Sequence, residues 1–362
     1  MKKKPILLVI DHFGSGGAQR QIVNIANGLV DRGEHVHIFI YYPEYKHYQH
    51  MLNKEVIIRT AQKRNKFGAS VIFTLMKDLI RFKYKYSLVF LKTPAFYLEL
   101  AKALSFSKVR VVYSERTSFE LMGDSILDRM QRKLHSKCTY ITSNSMVQSE
   151  LLKNIYPQHS ILYIPNAMPE ALFQIPVDIK EKQQFTVLAH TTIYKNYDYL
   201  IDALIIYKKL FCKDPPTINW YGRVCDEIKL KVAIRRLEQY SLENLLIFHG
   251  QVTDVASVLK KTRFLVHPSK FESSSNSISE SLSSGTPVLV GNISDHEKII
   301  STSKAGFMFN LSCPSSLAKV LRKALMLTCE DYNLLTKNAR AYSKENFSSN
   351  KIVDSYHKIL TD

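Results

Sequence analysis

The chain has 362 residues, of which 45% are hydrophobic and 23% charged, and its formal net charge is +18. This length and composition indicate two ordinary globular domains and exclude a disordered chain. The five cysteines are irregularly spaced without a CxxC pair, which disfavours disulfides and zinc and favours a reducing compartment. No apolar run approaches the roughly 20 residues of a membrane span, and residues 6–10 are too short for a signal peptide. We therefore expect a cytoplasmic protein.

Basic residues concentrate in segment 59–92, where they are interleaved with aromatic residues and stand against one acid, Asp78. Such a segment suits anionic lipid headgroups, nucleic acid or a phosphorylated acceptor. We predict peripheral binding to the inner face of the cell membrane and no nucleic-acid partner; the alternative is a set of solvated lysines. The nine basic residues are Arg59, Lys63, Arg64, Lys66, Lys77, Arg81, Lys83, Lys85 and Lys92.

The first residues predict a strand, a glycine-rich turn and a helix. Residues 6–10 form a continuous apolar run, and residues 18–30 carry apolar side chains at helical spacing. Between them, Gly16 and Gly17 leave backbone N–H groups accessible at a helix N-terminus, which favours a phosphate group. The turn departs from G-x-G-x-x-G because position 19 is Gln, so a nicotinamide cofactor is disfavoured. The alternative is a tight turn without a ligand.

Strands and helices continue to alternate along both halves of the chain. Glu115 and Arg116 follow Ser114 at the end of a predicted strand at 109–113, where they are either site residues or a structural ion pair. A second series begins with a strand at 185–189, a loop at 190–196 and a helix at 199–210. Alternating β and α elements predict an α/β fold with two doubly wound domains.

Residues 271–290, FESSSNSISESLSSGTPVLV, carry two acids eight positions apart, Glu272 and Glu280. An apolar strand at 264–268 precedes them, a helix is predicted at 278–284, and a second strand follows at 286–290. This order places Glu272 in a loop and Glu280 on the helix, so that both can face the crevice at the carboxyl ends of a parallel sheet, where such sheets bind ligands. Two solvated acids near a helix start are the alternative, since carboxylates are favourable there.

The E-x7-E spacing followed by S-G-T-P-V-L-V resembles the donor-sugar motif of the retaining glycosyltransferases of family 4, which have the GT-B fold. The loop 190–196 resembles the family's G-R-x-x-x-x-K-N segment, and G-S-G-G-A-Q-R resembles its first glycine loop. The resemblance covers nearly the whole chain. It implies two Rossmann-like domains facing a central cleft: residues 1–168 with a terminal helix at 347–362 packing back on them, a linker at 169–184, and a nucleotide-sugar domain at 185–346.

The resemblance also implies roles for individual residues. Lys195 and His190 would neutralise the leaving diphosphate, Glu272 would hold the sugar hydroxyls and Glu280 the ribose. The catalytic set is then Glu272, Lys195 and His190. The other donor-binding residues are Glu280, Gly16, Gly17, Asn276, Ser275 and Ser277, and the acceptor or sugar side comprises Glu115, Arg116 and His12. No D-x-D motif is present, so neither a metal nor a cofactor is expected.

The implied activity is transfer of a sugar, with a UDP-sugar favoured, to a polysaccharide or polyprenyl-linked saccharide in capsule or lipopolysaccharide synthesis. Two departures keep an alternative open. His190 stands where the family has arginine, and serines at 273–275 replace its usual glycines. The alternative is a non-catalytic GT-B partner that binds glycan or stabilises another transferase. A sugar-nucleotide epimerase of the same fold would require acid and base residues in the first domain, and no such residues are recognised in its sequence.

Overall fold

The computed structural model describes residues 3–64, 67–178 and 180–361. Lys66 of the predicted basic segment lies outside these residues. The chain divides into two compact units, Met1–Ala167 with Ser348–Asp362, and Met168–Phe347. No helix in the described ranges combines the length and apolarity needed to cross a bilayer.

Each unit is built on a parallel sheet. Within the described residues the first sheet has seven strands in the order β3-β2-β1-β4-β5-β6-β7, and the second has six in the order β10-β9-β8-β11-β12-β13. The strands of the first unit are β1 (Ile6–Val9), β2 (Val36–Ile40), β3 (Ile57–Thr60), β4 (Tyr86–Phe90), β5 (Arg110–Glu115), β6 (Tyr140–Ser143) and β7 (Ile161–Tyr163). Those of the second are β8 (Gln184–Leu188), β9 (Ile218–Tyr221), β10 (Leu246–Gly250), β11 (Thr262–His267), β12 (Val288–Gly291) and β13 (Gly306–Phe309).

Helices connect the strands. Those before the second sheet are α1 (Gly17–Val30), α2 (Ala69–Phe82), α3 (Lys92–Leu104), α4 (Ile126–His135), α5 (Met146–Ile155) and α6 (Glu170–Phe173). Those that follow are α7 (Tyr197–Phe211), α8 (Glu227–Gln239), α9 (Val255–Lys261), α10 (Asn276–Ser283), α11 (His296–Ser303), α12 (Pro314–Leu325), α13 (Cys329–Phe347) and α14 (Ser349–Thr361). Short 3₁₀ helices span Gln49–Met51, Phe119–Leu121 and Ile193–Lys195.

Both faces of each sheet are buried, which explains why the strands are continuous apolar runs. Alternate side chains of a strand point to opposite faces. In β1, Ile6 and Leu8 join one apolar core while Leu7 and Val9 join another. In β11, Phe264 and Leu265 divide in the same way between the two cores of the second unit. The prediction of an α/β fold with doubly wound sheets is confirmed.

The terminal helix α14 packs on the first unit. Its side chains Ile352, Val353, Tyr356 and Leu360 follow a helical spacing and are buried in the core that contains α1. Polar contacts fix the same helix, because Arg32 bonds Asp354 at 2.7 Å and the Tyr86 hydroxyl donates to the Thr361 carbonyl. Phe347, which the sequence assigns to this helix, instead ends α13 and is buried in the second unit.

The segment 169–184, expected to be a linker, belongs to the second unit. It contains α6, and Leu172, Phe173 and Ile175 are buried in that unit's core. Further along, Lys182 is fully buried, and its ammonium donates to the carbonyls of Leu259 and Thr262 and to the Thr286 hydroxyl. The segment contains prolines, and its apolar residues follow neither a helical nor a strand spacing. Its packing in the core could therefore not be predicted from the hydrophobic pattern.

Candidate active site

Two loops leave the carboxyl edge of the second sheet side by side, because β8 and β11 are paired neighbours. The loop after β8 ends at Asn196, which adopts a left-handed conformation with φ of 62° and donates through Nδ2 to the Pro268 carbonyl at 3.1 Å. In return, the backbone N–H of Lys270 donates to the Tyr194 carbonyl at 2.8 Å. These bonds fix the two loops to each other and determine where their side chains meet.

Lys195 and Glu272 meet at this junction. The Lys195 ammonium forms an ion pair with Glu272 Oε1, and His267 Nε2 lies 3.0 Å from the same oxygen. The side chains of Lys195, Glu272 and His267 are 26%, 12% and 1% exposed. The exposed fraction therefore falls from the lysine to the histidine, so Lys195 is the member most accessible to an incoming ligand.

The Glu272 carboxyl is held in its ionised form. Burial alone would raise its pKa, but the positive charge of Lys195 and the contact with His267 outweigh burial and hold the pKa well below its usual range. An ionised carboxylate accepts hydrogen bonds and cannot donate a proton. Glu272 is thus suited to hold hydroxyl groups or stabilise positive charge, and not to act as a general acid near neutral pH.

A second buried histidine lies beside this cluster. His296 begins α11, and its ring is 5.5 Å from the His267 ring. Its Nδ1 donates to the Gly291 carbonyl at 2.8 Å, while Nε2 has no hydrogen-bond partner among the described atoms. Burial is the main cause that lowers the pKa of His296 to about 4, so the ring is neutral at physiological pH.

Glu280 lies on α10, after the loop that carries Glu272. It is 4% exposed, and the other residues of α10 are buried apart from the first, Asn276. Ser275 precedes the helix in an extended conformation and forms no side-chain cap; its hydroxyl lies 2.9 Å from that of Ser277. The structure thus gives the predicted donor-binding residues Ser275, Asn276 and Ser277 a common place at the start of α10.

His190 contacts the loop after β9. Its Nδ1 accepts the backbone N–H of Arg223 at 3.1 Å, and the Thr191 N–H donates to the Arg223 carbonyl at 3.0 Å. The accepting Nδ1 must carry a lone pair, so the proton of a neutral ring resides on Nε2. Gly222 permits this approach, since a Cβ there would lie 1.9 Å from the Ala189 carbonyl oxygen.

Replacing Gly222 with alanine is expected to destabilise the second unit by about 1–3 kcal/mol, because the new Cβ meets backbone that cannot move aside freely. The single tryptophan, Trp220, is fully buried in this unit, so its fluorescence during denaturant unfolding reports the effect. Gly250→Ala, in the same unit, is the control, since a Cβ there meets nothing within 4 Å and adds only strain at a φ of 78°. Equal stability of Gly222→Ala and wild type would contradict the close approach.

In the first unit, the glycine turn folds around Asp11. Asp11 Oδ1 accepts the His12 N–H and the Gln19 side-chain amide, both at 2.8 Å. His12 Nδ1 accepts the Gly14 N–H at 2.9 Å, and α1 begins at Gly17 with Gly16 as its N-cap. The predicted residues His12, Gly16 and Gly17 therefore belong to one turn at the carboxyl end of β1.

The side chains of Glu115 and Arg116 belong to different hydrogen-bond networks, although Glu115 accepts the backbone N–H of Arg116. Glu115 is 1% exposed; its Oε1 accepts the N–H groups of Arg116 and Thr117, and its Oε2 accepts the Tyr113 hydroxyl. The Arg116 guanidinium donates to Asn166 and Tyr356 and lies 3.8 Å from the centre of the Phe90 ring. Burial lowers the pKa of Arg116. Through Tyr356, this arginine joins β5 to α14 within the first unit.

Among the described residues, no group of three or more His, Cys, Asp or Glu side chains is arranged to bind a metal ion. The neighbours of Glu272 that the sequence analysis did not identify are His267 and His296. Each was visible as a histidine at the end of a strand or the start of a helix, but neither has a spacing that relates it to Glu272.

Two Rossmann-like units, with paired cationic and acidic loops at the carboxyl edge of one sheet, define a protein of the GT-B class. The sequence profile of glycosyl transferases group 1 matches residues 170–342, and that of glycosyltransferase family 4 matches residues 15–171. The chain belongs to these family 4, group 1 glycosyltransferases. No curated protein sequence matches the chain significantly.

Solved structures share the whole fold at low sequence identity. Anabaena HepE in complex with UDP has a TM-score of 0.83 at 15% identity, covering 99% of both chains. A glycosyltransferase from Rickettsia africae has a TM-score of 0.82 at 15% identity, covering 99% of this chain and 98% of its own. S. aureus TarM in complex with UDP and other ligands has a TM-score of 0.80 at 11% identity, covering 99% and 100%.

Proposed function

We propose that the protein is a retaining glycosyltransferase that moves a sugar from a UDP-sugar to a polysaccharide or lipid-linked saccharide in surface-glycan synthesis. The observation that carries this proposal is the Lys195–Glu272 pair at the carboxyl edge of the second sheet. It provides an accessible cation beside a largely buried, ionised carboxylate. Neighbours of similar fold have been solved with UDP and with UDP-glucose, which supports a nucleotide-sugar donor and favours uridine as its base.

In this proposal the described side chains divide the work of holding the donor. Lys195 turns from Glu272 towards the diphosphate and stabilises the charge that develops as the sugar leaves. Glu272 accepts hydrogen bonds from the sugar hydroxyls, and Glu280 accepts them from the ribose. In the first unit, Gly16 and Gly17 contribute to donor binding, and His12 lies on the acceptor or sugar side. The buried side of the site excludes water from the reacting carbon and so disfavours hydrolysis.

The stereochemical part of the proposal is tested by NMR of the product formed from an α-linked UDP-sugar. Acceptors are oligosaccharide fragments of bacterial surface glycans, presented singly and as a mixture. Release of UDP together with an α-linked product is the expected result. A β-linked product would contradict retention while leaving sugar transfer intact, and wild-type protein that never releases UDP with any donor would contradict the proposed activity.

We also propose an anionic membrane surface as a partner of the first unit. The helix α2 exposes Phe73 and Ile80, which are 62% and 59% exposed, on a face that also carries Lys77 and Arg81. Exposed apolar and basic side chains on one helix are typical of interfacial binding. Next to α2, a cavity of about 380 Å³ is lined by Lys4, Lys83, Lys85 and Lys108 among other residues.

Two residues of the predicted basic segment do not belong to the protein surface that we propose to face the membrane. Arg59 donates to both carboxylate oxygens of the buried Asp78, at 3.0 and 2.6 Å, and Lys92 forms an ion pair with Asp128. These cations are engaged within the unit. The surface is formed by Lys77, Arg81, Lys83 and Lys85 of the segment, together with Lys4 and Lys108 from outside it.

The double variant Lys83→Gln/Lys85→Gln is expected to weaken binding to vesicles containing phosphatidylglycerol by roughly 30-fold, since each lysine near an anionic surface contributes about 1 kcal/mol. Co-sedimentation at low salt measures the effect, with neutral phosphatidylcholine vesicles as the reference. Lys231→Gln/Arg235→Gln, on the exposed face of α8, is the matched control. Equal binding of both variants, or wild-type binding that ignores lipid charge, would contradict this partner.

A further inference from the structure

We propose that Arg223 is the second cation of the donor site and contacts the diphosphate beside Lys195. This inference rests on the proposed function, because it assumes that the loop after β8 receives a nucleoside diphosphate. It assigns a binding role to a residue outside the predicted site, on the loop after the neighbouring strand β9.

The charge balance of the site calls for a second cation. Lys195 is paired with the ionised Glu272, so these two side chains together carry no net charge. A nucleoside diphosphate-sugar brings about two negative charges, which a buried site must neutralise. Lys195 alone therefore leaves the donor undercompensated, and a further positive group within reach of the same loop would strengthen donor binding.

His190 does not supply that charge. Its Nδ1 accepts the Arg223 backbone N–H, and protonation of this nitrogen would place a hydrogen where the bond needs a lone pair. The hydrogen bond thus favours the neutral ring. His190 acts as a positioning residue, since it fixes the backbone of Arg223 at the edge of the site.

The register of the sheet brings Arg223 to the required place. β8 and β9 are paired in parallel with Leu188 opposite Tyr221, so His190 and Arg223 each lie two residues beyond the last pair. The pairing continues past the strands through a bridge between Thr191 and Val224. Adjacent strands are about 4.8 Å apart, a distance that an arginine side chain spans easily. Arg223 therefore stands one strand from the loop that carries Lys195.

The Arg223 side chain is available for a ligand. Arg223 is exposed, and it takes part in none of the ion pairs found among the described residues. Its guanidinium offers several donors in a planar fork that matches two phosphate oxygens at once, which an ammonium cannot do. Lys270 is another exposed cation near this edge, and its backbone N–H donates to the Tyr194 carbonyl. The experiment must separate these two residues.

The test measures Kd by calorimetry for UDP and for uridine, with wild type, Arg223→Gln, Lys270→Gln and a control, Arg235→Gln on the exposed face of α8. Arg223→Gln is expected to weaken UDP binding by roughly 10- to 100-fold, the range of a charge-assisted hydrogen bond, and to leave uridine binding unchanged. The UDP affinity of Arg223→Lys should lie between those of wild type and Arg223→Gln, because lysine restores the positive charge without the planar guanidinium fork. Trp220 fluorescence verifies that each variant is folded.

A second arm uses the neighbouring position. His190→Arg combined with Arg223→Gln is expected to recover most of the UDP affinity, because a guanidinium returns to the same level of the sheet one strand away. Wild-type affinity in Arg223→Gln, a loss only in Lys270→Gln, or an equal loss of UDP and uridine would overturn the role of Arg223. If the wild type itself bound neither UDP nor GDP, the result would contradict the proposed function and not only the role of Arg223.

Discussion

Lys195→Met is expected to lower kcat/KM for sugar transfer by roughly 100- to 1,000-fold, the usual effect of removing a group that stabilises developing charge. Lys195 is the accessible partner of Glu272 and the cation that faces an incoming diphosphate in the proposed mechanism. Removal of the Lys195 ammonium also leaves the Glu272 carboxylate without this ion pair, while the contact of Glu272 with His267 remains. The release of UDP from the donor, followed with increasing donor concentration, measures kcat and KM separately.

Lys231→Met is the matched control, because Lys231 is an exposed lysine on α8 of the same unit. We expect it to retain wild-type activity. Loss of an ion pair also affects folding, so the melting temperature of Lys195→Met is measured alongside its activity. An unchanged kcat/KM in a folded Lys195→Met protein would remove Lys195 from the mechanism.

The second unit is expected to gain about 3 kcal/mol of unfolding free energy from Lys182 as the pH rises from 8 to 10.5. Burial, with a smaller contribution from the charge of Arg340, lowers the pKa of Lys182 to about 8 from its ordinary value near 10.5. Between these values the folded protein has released the proton while the unfolded chain still binds it. Stability due to this group therefore rises with pH through this window and is constant below it.

The measurement compares wild type with Lys182→Met by denaturant unfolding at several pH values, again through the fluorescence of Trp220. The variant lacks the donor to Leu259, Thr262 and Thr286, so its absolute stability also changes. The difference between the two pH slopes isolates the titration, because the buried tyrosines titrate in both proteins. Parallel slopes from pH 8 to 10 would contradict a buried, titrating lysine.

The strands were predictable because a parallel sheet buries both faces, which leaves continuous apolar runs such as 6–10 and 264–268. The helices at residues 126–135 and 329–347 were not among those expected from the sequence. Most residues of the helix α13 are polar, so the periodicity of its apolar residues is weak. The helix α4 carries a capping box formed by Ser125 and Asp128, a local signal that was present but not used.

A residue of the candidate site was predictable where its role follows from its position in its own loop. Glu272 and Lys195 were identified from their positions after strands, and the structure brings them into contact. His267 was hidden because it completes the apolar run of β11, and its position beside Glu272 depends on the path of the loop. The bond between His190 and Arg223 depends on the pairing of β8 with β9, which no local pattern encodes.

The binding of a nucleotide sugar to the second unit is proposed to depend on Lys195, Glu272 and Glu280. Its most direct test is the melting temperature of wild type, Lys195→Ala and Glu280→Ala with a panel of UDP- and GDP-sugars, because a ligand that binds only the native state must raise it. We predict that a UDP-sugar raises the melting temperature of the wild type and has little effect on either variant. Failure of every donor to stabilise the wild type would contradict the claim and favour a non-catalytic partner protein.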